Sequence, residues 1–151
     1  MLAVSNSSPI IAFERIGELD LLRAVFPALT IPPAVAEEIA AAAPVPSWMT
    51  VHSLRGGIDA RTLVPGLATG EREAISLAIE LRAVWLVLDD QAARQVARRI
   101  GLPVIGTLGI LLAAKRKRLV PAIGPYLARL GGAGFFMGRD LLERVLRLAS
   151  E

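Results

Sequence analysis

The stretch Val84-Trp85-Leu86-Val87-Leu88-Asp89-Asp90-Gln91 decides the fold class. From Val84 to Leu88 every position is apolar, where a half-exposed strand would alternate. That is the pattern of a strand covered on both faces, as in a parallel sheet. It stops at two adjacent acids, and Gln91 to Ile100 continues as a helix. A strand that ends in polar residues and runs straight into a helix is the repeating unit of an α/β protein.

Working outward, the same unit recurs. Leu102 to Ile105 reads as a further strand, followed by a helix over Leu108 to Ala114 that ends in the basic run Lys115-Arg116-Lys117-Arg118. Ala122 to Leu130 is a helix, Gly131 to Gly134 a break, and Asp140 to Ala149 a terminal helix. Upstream, Glu71 to Arg82 places Ala74, Ile75, Ala78, Ile79 and Leu81 at helical spacing, after a turn from Gly66 to Gly70. Val45 to Asp59 is aperiodic, with a short strand expected near Met49 to Val51. Leu29 to Ile31 is a strand closed by Pro32-Pro33, and Pro33 opens the next helix in its first turn. Leu21 to Phe26 is a short helix. Leu2 to Val4 is a buried strand running into Ser5-Asn6-Ser7-Ser8, with Ser7 or Ser8 as helix cap and Pro9 as the first helical residue, to about Ile16. No internal repeat and no linker interrupts the series, so residues 1–151 are expected to form one domain.

Composition narrows the chemistry. The chain has 151 residues, no cysteine and one histidine, His52. Disulfides, thiolate nucleophiles and Cys-based metal sites are therefore excluded. Seventeen cations against fourteen acids give +3, and all but Lys115 and Lys117 are arginine. Guanidinium suits phosphate and stacks on bases, so nucleic acid is a compatible partner. No basic residue precedes Glu14 and Arg15, and the longest apolar-rich run, Gly101 to Ala114, is too short for a bilayer. A soluble cytoplasmic protein without membrane contact is expected. Neither G-x-x-x-x-G-K-[ST] nor a strand-linked G-x-G-x-x-G occurs, which speaks against a nucleotide-binding α/β protein. Gly106-Thr107-Leu108-Gly109 lacks that spacing and reads as a strand–helix turn.

In parallel sheets the ligand crevice lies beyond the carboxyl ends of the strands. Asn6 closes the first strand and Asp89-Asp90 the Val84 strand. Glu37 and Glu38 lie early in the Pro33 helix, and Glu71 and Glu73 open the helix before Val84. Converging there, they would supply the hard oxygen ligands that Mg²⁺ or Mn²⁺ requires. The alternative is local: acids at helix N-termini are favoured by the macrodipole, and Asp89 or Asp90 can serve as a cap. The cations divide in the same way. Lys115 and Arg116 suit a helix C-terminus or a phosphate-binding surface, while Arg94 and Arg98, four apart, and Arg72 could hold a polyanion beside the acids.

Five segments in order, VSNSSPIIAFERIGELDLL, IPPAVAEEI, GEREAISLAIEL, VWLVLDDQAARQVARRIGLPVIGTLGILLAAKRKRLV and GFFMGRDLLERVL, cover nearly the whole chain. In these segments the chain resembles the PIN-domain fold, and within it the VapC-like proteins of the DUF3368 type. The resemblance implies a three-layer fold with a central, mostly parallel sheet of four or five strands flanked by helices. It implies a Mg²⁺- or Mn²⁺-dependent endoribonuclease, often a homodimer and the toxin of a toxin–antitoxin pair, with RNA and an antitoxin as partners. The family's catalytic and metal-binding places fall on Asn6, Glu38, Glu71 and Asp90. Asp89 stands beside the last as an additional ligand, Glu73 competes for the third place, and Ser8 is the hydroxyl near the first. RNA contacts fall to Arg72, Arg94, Arg98, Lys115 and Arg116. Where the family often has Asp, this chain has Asn6, which offers a carbonyl oxygen but no charge. A weakened or inactive PIN-like module that binds nucleic acid or protein is the alternative.

Overall fold

The computed structural model describes residues 2–151. Five strands, β1 (Ala3–Ser5), β2 (Leu29–Ile31), β3 (Thr50–Val51), β4 (Trp85–Val87) and β5 (Val104–Ile105), form one sheet in the order β3-β2-β1-β4-β5. Every adjacent pair is parallel. Helices α1 (Ser7–Arg15), α2 (Leu19–Val25), α3 (Pro33–Ala40), α4 (Thr69–Leu81), α5 (Gln91–Ile100), α6 (Thr107–Arg116), α7 (Gly124–Gly132) and α8 (Arg139–Leu148) flank it. This is the three-layer α/β arrangement that the apolar strands call for. Both β1 and β2 are buried at all three positions, which leaves no water-facing side for alternation to mark.

The register puts the strand ends level. Ser5 lies beside Val87, and the Asn6 N–H continues the ladder by donating to the Val87 carbonyl at 2.9 Å. From β1 the chain returns to one neighbour, β2; from β4 it goes on to the other side, β5. The crevice expected where a sheet's winding reverses therefore opens beyond β1 and β4. The core beneath is packed from Phe13 and Leu22 on α1 and α2, Ile75 and Leu77 on α4, Leu86 on β4 and Ile110 and Leu111 on α6.

Two local expectations need correction. Helix α1 begins at Ser7 with Asn6 as its cap residue, rather than being capped by Ser7 or Ser8, and the Asn6 side chain makes no capping bond. The Ser7 hydroxyl is drawn away to another helix instead. Gly70 belongs to α4, not to the preceding turn, because α4 starts at Thr69. A Cβ at Gly70 would collide with the Glu38 carboxylate, so this glycine lets α3 and α4 approach at their N-termini. Among the described residues no helix is long and apolar enough to cross a membrane.

Candidate active site

Asn6 and Glu71 form the buried floor of a notch at the strand ends, and Glu38 and Asp90 stand at its exposed rim. Each is placed by backbone geometry. Asn6 is the first residue past β1. Glu71, in the first turn of α4, accepts the Ala68 N–H at 2.8 Å. This is half of a capping box, since Ala68 has no side-chain oxygen with which to return the bond. Asp90 caps α5 through the Ala93 N–H at 2.9 Å, and Glu38 accepts from the Ser7 hydroxyl at 2.5 Å.

The acids feel one another. Burial pushes the Glu71 carboxyl above its ordinary range, and the negative charges of Asp90 and Glu38 push it the same way, against the pull of the Ala68 N–H. Low dielectric and like charge both favour the protonated form. Below them lies the one unsatisfied group: Asn6 Oδ1 is buried and has no hydrogen-bond partner among the described residues. An orphaned buried acceptor of this kind leaves a desolvation penalty of roughly 1–3 kcal/mol uncompensated.

The adjacent acids after β4 serve two different helices. Asp90 caps α5, whereas Asp89 turns to α6 and accepts the Thr107 N–H at 2.8 Å and the Thr107 hydroxyl at 2.5 Å. The capping alternative for this pair thus has a doubled form: one acid per helix. A Cβ at Gly106 would lie 2.6 Å from both Asp89 Oδ1 and Arg94 Nη1, so a larger residue where β5 turns into α6 would displace those side chains.

Other expected residues lie elsewhere. Glu73 accepts the Ala34 N–H at 3.2 Å and ties α4 to the start of α3. Arg72 donates to the Thr62 and Val64 carbonyls, each at 3.1 Å, and fastens the loop before α4. Lys115 donates to the Ala149 carbonyl and, at 2.9 Å, to Glu151; Arg116 is exposed. Arg94 donates to the Leu88 carbonyl at 2.9 Å, and burial and the neighbouring Arg98 both depress its pKa. Of the two hydroxyls, Ser7 meets Glu38, while Ser8 is exposed. Sequence reasoning missed Ser7 and Thr107. For Ser7 the signal was available: it follows Asn6 directly and opens the helix that starts at the crevice.

The donor types suit a hard divalent cation. Yet among the described residues no group of three or more His, Asp or Glu side chains is disposed to hold one. Glu38, Asp90 and Asp89 each already accept a hydrogen bond from the protein, and the floor position is neutral. The notch as it stands does not supply an acid ligand cage.

Fold and notch together define an α/β protein with a strand-end polar site, the architecture of nuclease-type PIN domains. Residues 2–151 match the family described as DUF3368: PIN domain, and the chain belongs to it. No curated protein matches the chain. Among solved structures it is similar to a PilT N-terminus domain protein from the hyperthermophilic archaeon Sulfolobus solfataricus P2. The two share 20% identity, with a TM-score of 0.53, over 76% of this chain and 93% of the other. At that identity the likeness speaks for the fold.

Proposed function

We propose that this chain is a PIN-domain RNA-binding module whose capacity to cleave phosphodiesters is weakened or lost. The observation that carries the reading is the lack, among the described residues, of three acids disposed to hold one ion. The neutral Asn6 at the floor and Glu71, whose pKa burial and the neighbouring acids raise, point the same way. RNA is supported by the family and by Arg94 and Arg98, which line a groove beside Asp89.

One observation favours a second reading, a Mg²⁺- or Mn²⁺-dependent endoribonuclease acting as a toxin beside an antitoxin, as a homodimer. Asn6 Oδ1 is buried without a partner, which is what an oxygen donor kept for a cation would look like. Asn6, Glu38, Glu71 and Asp90, with Asp89 beside them, would then hold the ion, whose chemistry is to activate water and stabilise in-line displacement at phosphorus. Two measurements on the purified chain separate the readings: calorimetry with Mn²⁺, and RNA cleavage by wild type and Asp90→Asn. The module reading expects no binding heat up to millimolar Mn²⁺ and no cleavage above that of the variant. Mn²⁺-dependent cleavage that Asp90→Asn abolishes would establish the ribonuclease instead.

A further inference from the structure

A groove lies along α5 beside Asp89, the chain neighbour of Asp90, and none of the four notch residues lines it. It has a volume of about 680 Å³, starts at Asp89, and is bounded by Arg94 and Arg98, by Phe135 and Phe136, and by Arg144 on α8. On the other side of Asp89 a cavity of about 300 Å³ lies between Ser8 and Arg15 of α1 and Phe135. Asp89 and Phe135 line both, so the two hollows adjoin and form a track beside Asp89.

The charge along this track is one-sided. Its acid, Asp89, has both oxygens engaged by Thr107. Arg98 and Arg144 are exposed and, among the described residues, neither has an ion-pair partner. Beside them Phe136 is 90% exposed. A large aromatic ring left in water at the rim of a basic groove is the arrangement by which proteins hold single-stranded nucleic acid: cations follow the phosphates and a ring takes a base. Bases stacked inside a duplex cannot reach such a ring.

We infer that this track carries single-stranded RNA past Asp89, with Phe136 stacking on a base and Arg98 and Arg144 contacting phosphates. The inference rests on the RNA-binding reading and names the residues through which it acts. The test is fluorescence anisotropy with a fluorescein-labelled single-stranded RNA dodecamer, titrated with the full chain in EDTA so that no cleavage intervenes. Phe136→Ala is expected to weaken binding about tenfold and Phe136→Trp to retain it. Arg98→Ala and Arg144→Ala should each reduce the slope of log affinity against log salt by about 0.7. A duplex of the same sequence should show no dependence on Phe136. All three positions are exposed, and circular dichroism checks that the variants fold.

Wild-type binding that none of these substitutions alters overturns the inference and leaves the RNA-binding reading standing. Absence of wild-type binding to any RNA overturns both. If Phe136→Ala leaves RNA affinity intact but turns a dimer into a monomer in sedimentation, the ring is a contact for a second copy and the inference also fails.

Discussion

At the carboxyl ends of β1 and β4, polar groups are packed against the core and nearly all have partners. On the flank made by α7 and α8, apolar groups face water instead. The notch gathers Asn6, Ser7, Glu38, Glu71 and Asp90 around one short hydrogen bond, three acids that each accept a protein donor, and one orphaned oxygen. Helix α8 buries only Val145, while Leu148 is 68% and Phe136 90% exposed. The flank is held partly by polar contacts: Glu151 accepts the Ile123 and Gly124 N–H groups and pairs with Lys115. The first region offers polar groups for chemistry at the strand ends, and the second presents apolar and basic side chains to water.

The largest expected effect breaks this contrast at the floor of the notch. Asn6→Asp would bury a charge beside Glu71 with no cation of the protein to offset it, costing about 3 kcal/mol at neutral pH in EDTA. Thermal or urea unfolding measures this. Partial recovery in Mn²⁺ would show that the added carboxylate completes a cation site, and an unchanged melting temperature would show that the notch carries no electrostatic stress.

A smaller loss is expected on the flank. Glu151→Ala removes the acceptor for two backbone N–H groups and the partner of Lys115, a loss of about 1–2 kcal/mol. Hydrogen exchange should localise the loosening to α7 and α8. Protection lost equally at β1 and β4 would show that the two regions are one cooperative unit.

The smallest effect is a pH dependence. The folded chain holds the Glu71 proton more tightly than the unfolded chain does, because burial and the Asp90 and Glu38 charges raise its pKa. Unfolding therefore becomes easier as pH rises through the ordinary glutamate value of 4.5, and that penalty persists at pH 7. Glu71→Gln should raise the melting temperature at pH 7 and leave it unchanged well below that value. A gain of equal size at both ends would assign it to packing instead of charge.

Much of the fold was legible because it rests on local pattern. The apolar run from Val84 to Leu88 marks the central strand, observed as Trp85–Val87 with Val84 outside it and exposed, and Gln91 to Ile100 and Leu29 to Ile31 have the bounds observed. Boundaries shifted where a tertiary contact overrode local preference. Ser7 serves Glu38 instead of capping, and Gly70 lies within α4, where its missing Cβ leaves room for the Glu38 carboxylate. At the site, the sequence could place acids at element ends but could not say which way they turn. Asp89 and Asp90 are neighbours in the chain and diverge to different helices. Arg72 and Glu73 sit beside Glu71 on α4 and point into loop and helix contacts set by long-range packing.

The divided use of Asp89 and Asp90 bears on how such chains change over generations. Each acid begins a helix, so replacing either loosens the scaffold whether or not any chemistry is performed there. A lineage that gave up cleavage would still be selected to retain both. At these two positions an acid has a folding role that needs no chemistry, whereas the Asn6 side chain supports no helix.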